Sequence, residues 1–108
     1  MTVEEFISIS KECGFNTVKT GSVIYTVVGD SIYWFSYYDK GCNEVAVSVN
    51  ASYDWNKNIK AGMFTERYTK YEINKEMYRE RMIKLQKEIK ELKIKLRKFE
   101  IEKDFAND

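Results

Sequence analysis

The sequence predicts an α+β fold: an N-terminal helix packed on a small antiparallel β-meander of three to four strands, followed by one long C-terminal coiled-coil helix. Three observations carry that expectation. Thr2-Val3-Glu4-Glu5 is a capping box ahead of a helically spaced apolar run. Three β-branched and aromatic runs follow, divided by glycine-containing turns. From Tyr78 onward apolar residues recur at alternating steps of four and three, the heptad rhythm, in a stretch of Lys, Arg and Glu without Gly or Pro. The expected division is residues 1–62 for the α+β unit and 63–108 for the helical arm.

The first helix is expected over Val3 to Cys13, with Thr2 as N-cap and Glu5 reaching back to it. Gly14 is the expected stop, and Phe15 supplies the apolar contact of a Schellman end. Asn16 to Gly21 reads as a connector with a short edge strand through Val18. Strands are expected over Ser22–Val28, Ser31–Tyr38 and Asn43–Asn50. Gly29-Asp30 is a two-residue hairpin signal, and Lys40-Gly41 centres the next turn. That register pairs Val27 with Ile32, Tyr25 with Trp34, and Trp34 with Val47. It puts Val23, Tyr25, Val27, Ile32, Trp34, Val45, Val47 and Val49 on one core face under the first helix. The other face then carries Tyr33, Phe35 and Tyr37 beside Glu44. An aromatic second face is either covered by another element or is a binding surface. Trp55, in the segment leading to the arm, is a core plug or, if exposed, the strongest anchor for a partner. The partner-binding set expected from sequence is therefore Tyr33, Phe35, Tyr37, Glu44 and Trp55.

The arm is expected to start at Thr65, after a hinge at Gly62, and to run about 60 Å. With Met82, Ile89 and Leu96 at a, the d positions are Tyr71, Tyr78, Leu85, Leu92 and Phe99. Lys75 and Lys103 at outer a positions weaken the ends. The expected oligomerisation seam is Tyr78, Met82, Leu85, Ile89, Leu92, Leu96 and Phe99. Flanking pairs Glu88 with Lys93 and Lys95 with Glu100 favour a parallel homodimer. The competing reading is a helix that uses this stripe to cover its own domain. A thinner line of Ile73, Met77, Ile83, Ile94 and Ile101 faces away from the seam.

Of 108 residues, none is histidine, which removes the commonest general base and metal ligand. Each of the five glycines is isolated, so no phosphate-cradling loop is present. No catalytic residue, cofactor or metal is expected, and the class is a non-catalytic protein-binding module. Net charge is +1 but uneven. Met1 to Phe64 carries five lysines against seven acids, and Thr65 onward thirteen Lys or Arg against ten acids. The alternative class is therefore a coiled-coil dimeric nucleic-acid-binding or regulatory protein using the basic arm. Acids interleaved along that arm count against it. Cys13 and Cys42 match no metal spacing and read as reduced thiols. The first residues are acidic where a secretory leader is positive, and no apolar run reaches spanning length. A cytoplasmic protein with no membrane partner is expected.

The general build resembles the small stand-alone inhibitors that phages and mobile elements make against host defence systems, anti-CRISPR proteins among them. The resemblance rests on chain length, a Lys-, Asn- and Tyr-rich composition, and a small antiparallel sheet combined with helices. It implies a protein in the host-cell cytoplasm that blocks a nuclease or effector complex by contact. It further implies acids that imitate nucleic acid, for which Asp30, Asp39, Glu44 and Asp54 are the candidates.

Overall fold

The computed structural model describes residues 1–29, 31 and 33–106, with side chains as far as Phe99. The elements are α1 (Val3–Glu12), β1 (Asn16–Thr20), β2 (Val23–Val27), β3 (Trp34–Asp39), β4 (Glu44–Ser48), β5 (Ala51–Tyr53), β6 (Ile59–Ala61), β7 (Thr65–Thr69) and α2 (Lys75–Ala106). An antiparallel sheet runs in the order β1-β2-β3-β4-β7, and β5-β6 is a separate hairpin.

Helix α1 has the predicted ends. The Thr2 hydroxyl accepts from the Glu5 amide (3.1 Å), and the Glu5 carboxylate accepts from the Thr2 amide (2.9 Å). At the other end Gly14 adopts φ +87. The Phe15 amide donates to the Ser10 carbonyl and the Gly14 amide to that of Lys11, the two bonds of a Schellman motif. The left-handed backbone is what calls for glycine there; a Cβ would also lie 2.9 Å from the Gln86 amide nitrogen on α2, the end of a flexible side chain that can move aside.

The sheet has the predicted strands in a different register. Tyr25 pairs with Tyr37, not Trp34. An odd slip of three residues turns every β2 side chain to the other face. Ile24 and Thr26 are therefore buried, while Tyr25 is half-exposed. Between β3 and β4 the slip is two residues, Val47 pairing with Ser36 instead of Trp34, so Val45 and Val47 stay in the core as expected. The even slip arises because the turn takes four residues, with Asn43 left-handed at φ 57. A β-bulge decides the rest. Thr26 opposes Ser36 and Val27 opposes Trp34, leaving Phe35 as the extra residue. Phe35 drops into the core, and Trp34 swings to the outer face. Asp30 and Ile32, on which the predicted tight turn relied, lie outside the described residues, as do the side chains of Glu100, Ile101 and Lys103.

The arm differs most from expectation. Thr65–Thr69 is not the start of a helix but the fifth strand, paired with β4. Its alternation decides this: Glu66 and Tyr68 turn towards α2, and Thr65, Arg67 and Thr69 away. The sheet thus continues past the expected division at residue 62. Gly62 is not a hinge. It closes the β5–β6 hairpin against Asn50, whose carboxamide leaves no room for a Cβ. The cap of α2 is Asn74, whose side chain accepts from the Met77 amide (2.8 Å). Tyr71 and Ile73 precede the helix. Tyr71 is exposed beneath the Lys70 ammonium, and Ile73 is buried instead of facing outward.

The predicted oligomerisation seam is largely occupied by the chain's own core. Tyr78, Met82, Leu85 and Ile89 are fully buried, packed with Phe6, Phe15, Ile24, Phe35, Tyr38 and the β4 valines. Leu96 is buried too, Leu92 is half-buried, and Phe99, with Ile83 and Ile94, is exposed. Glu88, expected to pair across a dimer, accepts from the Ala51 amide of the hairpin (3.1 Å). The reason is geometric: with α2 beginning at Lys75, its first apolar turns lie directly over the sheet. A coiled-coil seam using Tyr78 to Ile89 would have to detach the helix from its own domain.

A chain of hydroxyls fixes this packing. Tyr78 Oη lies 2.7 Å from Ser10 Oγ on α1 and 2.8 Å from Ser36 Oγ on β3. Ser36 Oγ in turn meets Thr26 Oγ1 on β2 (2.5 Å), and Ser10 Oγ is bonded to the Phe6 carbonyl (2.7 Å). Phe6 stacks on the Tyr78 ring, centroids 4.9 Å apart. Burial pushes the Tyr78 phenol far above its usual range.

These contacts set expected costs. Tyr78→Phe removes one hydrogen bond each from Ser10 and Ser36, which keep Phe6 and Thr26 as partners, and should cost about 1–3 kcal/mol in urea unfolding. Leu85→Ala should cost about 2–5 kcal/mol, while exposed Ile94→Ala should stay within about 0.5 kcal/mol. Equal losses at Leu85 and Ile94 would contradict the burial pattern.

Candidate binding face

Both helices pack on one face of the sheet, where Phe6 meets Tyr38 and Tyr78 meets Ser36. The other face is built by period two from all five strands. Val18, Tyr25, Tyr37, Ala46 and Arg67 form one row across it. Asn16, Val27 and Trp34 lie beyond one side, and Thr20, Val23, Asp39, Glu44 and Thr69 beyond the other.

Tyr25, Trp34 and Tyr37 form an aromatic triangle in this face. Ring centroids are 6.4 Å apart for Tyr25–Trp34, 6.1 Å for Tyr25–Tyr37 and 5.3 Å for Trp34–Tyr37, all mutually tilted. Such edge-to-face contacts hold the rings in place without covering them. All three remain half-exposed and Val18 exposed. Two shallow depressions flank the rings. One, of roughly 400 Å³, is lined by Val18, Tyr25, Val27, Ser31 and Trp34. The other, of roughly 280 Å³, is lined by Val23, Tyr25, Trp34, Tyr37 and Asp39.

A polar cluster borders the triangle. Small Ala46 sits between Tyr37 and Arg67, so the Arg67 side chain can cross it. Arg67 Nη1 donates to the Tyr37 hydroxyl (2.6 Å) and to Glu44 Oε1 (2.9 Å), and the Tyr37 hydroxyl donates to the same Glu44 oxygen (2.5 Å). The guanidinium carbon is 6.0 Å from the Tyr37 ring centroid. Burial, with the Glu44 carboxylate beside it, pushes the Tyr37 phenol up to about 12. The Tyr37 hydroxyl and Arg67 hold Glu44 below the usual carboxylate range. Asp39 stands directly across from Glu44. The Cys42 thiol, the Gly41 amide and the Ser22 hydroxyl hold its carboxyl low as well.

The predicted partner-binding residues separate into groups. Tyr37 and Glu44 lie together on the open face. Phe35 does not belong to a binding surface, because the bulge buries it. Tyr33 is half-buried and donates to Asp54 (2.9 Å). Asp54 also accepts from the Asn56 and Asn58 amides, pinning the turn between β5 and β6. Trp55 stands on that turn, 91% exposed, so it is not a core plug. Sequence reasoning missed Tyr25 and Trp34, assigned to the core, and Arg67, assigned to a helix. The alternation of Thr65, Arg67 and Thr69 was the signal available for Arg67.

No protein-family model matches this chain, and neither a curated protein nor a solved structure matches it. Among the described residues no group of three His, Cys, Asp or Glu side chains converges as a metal site. None of the described helices is long and apolar enough to cross a membrane.

The Tyr37 cluster has a pH signature. Its phenol is raised above an unfolded value of about 10, so its contribution to stability is complete below that pH. That contribution should be lost as pH rises through about 12. Absorbance titration at alkaline pH should show a late-titrating tyrosine that moves to lower pH in Glu44→Gln. An unchanged titration curve would contradict the Tyr37–Glu44 contact.

Proposed function

We propose that this chain is a non-catalytic protein-binding module that occupies a surface on a larger partner. The observation that carries the reading is the open triangle of Tyr25, Trp34 and Tyr37 on the face opposite both helices. Monomers rarely leave contiguous aromatic surface uncovered without a use for it, and Trp and Tyr dominate interface energetics. Trp55 adds a separate anchor on a turn held by Asp54. The charge of the open face favours protein over nucleic acid. Among the described residues its charged side chains are Asp39, Glu44 and Arg67, and Arg67 is already engaged by Glu44. Bases could stack on these rings, but a phosphate backbone would meet carboxylates. The resemblance to small phage-type inhibitors supplies the specific form of the proposal, a blocker of a nuclease or effector complex acting by contact.

The test is recovery of a bound protein from source-cell extract, with nuclease treatment and a salt wash. Wild type should retain a stoichiometric protein, and Trp34→Ala should lose it. Trp55→Ala should reduce recovery while changing stability by no more than about 0.5 kcal/mol. Ile83→Ala should behave as wild type. Retention by Trp34→Ala, or recovery of nucleic acid that falls steeply with salt, would overturn the reading.

A further inference from the structure

The open face has two aromatic–carboxylate arrangements, and only one is filled. At the first, Tyr37 and Glu44 receive the chain's own Arg67 (2.6 and 2.9 Å). At the second, Asp39 lines a depression walled by Tyr25, Trp34 and Tyr37, with Val23 at its edge. Among the described residues the groups that donate to Asp39 are neutral: the Ser22 hydroxyl (3.1 Å) and the Gly41 amide (2.9 Å), with the Cys42 thiol and amide beside them. Among the described residues Asp39 forms no ion pair. It also stands directly opposite Glu44, and like charges in cross-strand register are destabilising. Among the described residues the cation of this face, Arg67, pairs with Glu44 and the Tyr37 hydroxyl and not with Asp39.

We propose that this depression receives an arginine side chain of the protein partner, its guanidinium stacked on the Trp34–Tyr25 wall and hydrogen-bonded to Asp39. The chemistry is the one the molecule already uses at Arg67. A planar guanidinium can lie against an aromatic ring and direct its N–H groups at a carboxylate, and Trp is the strongest aromatic partner for a cation. The incoming charge would also relieve the Asp39–Glu44 repulsion. Charge complementarity thus favours a basic protein segment over a second apolar surface. This inference rests on the protein-binding reading and names the chemistry of the contact.

The test uses the full chain carrying Trp55→Phe, so that Trp34 is the remaining indole of the two. Trp34 fluorescence is titrated with the capped peptide Gly-Ser-Arg-Ser-Gly and with the same peptide carrying citrulline, which keeps the shape of arginine without its charge. The arginine peptide should shift the emission saturably. Citrulline should bind at least about tenfold more weakly, as should arginine to Asp39→Asn. The citrulline comparison needs no folded variant, so the claim stays exposed even if Asp39→Asn is unstable. Equal binding of the two peptides, or no response to arginine, overturns the inference. If arginine fails while Trp34→Ala still loses the recovered protein, the arginine contact falls and the protein-binding reading stands. If Trp34→Ala also keeps its protein, both fall.

Discussion

The phenol of Tyr78 is the point on which the architecture depends. A buried hydroxyl without partners costs more than its hydrogen bonds contribute when made, so its surroundings are tightly specified. Here the partners come from different elements: Ser10 on α1, Ser36 on β3 and, through Ser36, Thr26 on β2. No side chain in the core is left without its hydrogen bonds among the described residues. One oxygen therefore sets the height of α2 on the sheet and the position of α1 beside it. Once Tyr78 is placed, helical periodicity carries Met82, Leu85 and Ile89 onto the same sheet face.

That constraint also explains the open face. Both helices are tied to the Ser36 side of the sheet, and nothing described here crosses to the Tyr37 side. Neighbouring residues on β3 thus have opposite fates: Ser36 joins the buried hydroxyl chain, and Tyr37 joins the exposed triangle. The bulge at Phe35 extends the contrast, sending Phe35 inward and Trp34 outward. That face presents three tilted aromatic rings, two cross-strand carboxylates and one internal arginine, the surface on which the proposed protein-binding reading rests. The fold does not need it for its core.

Much of this was legible in the sequence where the signals are local. The Thr2–Glu5 box and the Gly14–Phe15 stop gave α1 at both ends, because caps depend on a few adjacent residues. Strand positions followed from β-branched and aromatic runs. Register did not, because it depends on connection lengths. Six residues link β2 to β3 and four link β3 to β4, and a single odd slip exchanged Tyr25 for Ile24 in the core. The bulge at Phe35 leaves no clear sequence mark. The arm was misread for a different reason: the seven-residue spacing of Tyr71 and Tyr78 extended a true heptad pattern backward across a strand and a turn. Asn74, an ordinary N-cap, marked the actual start. The heptad stripe itself was real, but its burial within the domain and its burial in a dimer have the same sequence pattern.

The central claim, that the stripe of α2 is held by the chain's own sheet through Tyr78, is tested most directly by amide hydrogen exchange across a wide range of protein concentration. The account expects the helix from Tyr78 to Ile89 to exchange with the protection of β3 and β4, unchanged on dilution, because its partners are intramolecular. Protection of that segment that fades on dilution, while the sheet stays protected, would show a helix held by another copy and would contradict the account.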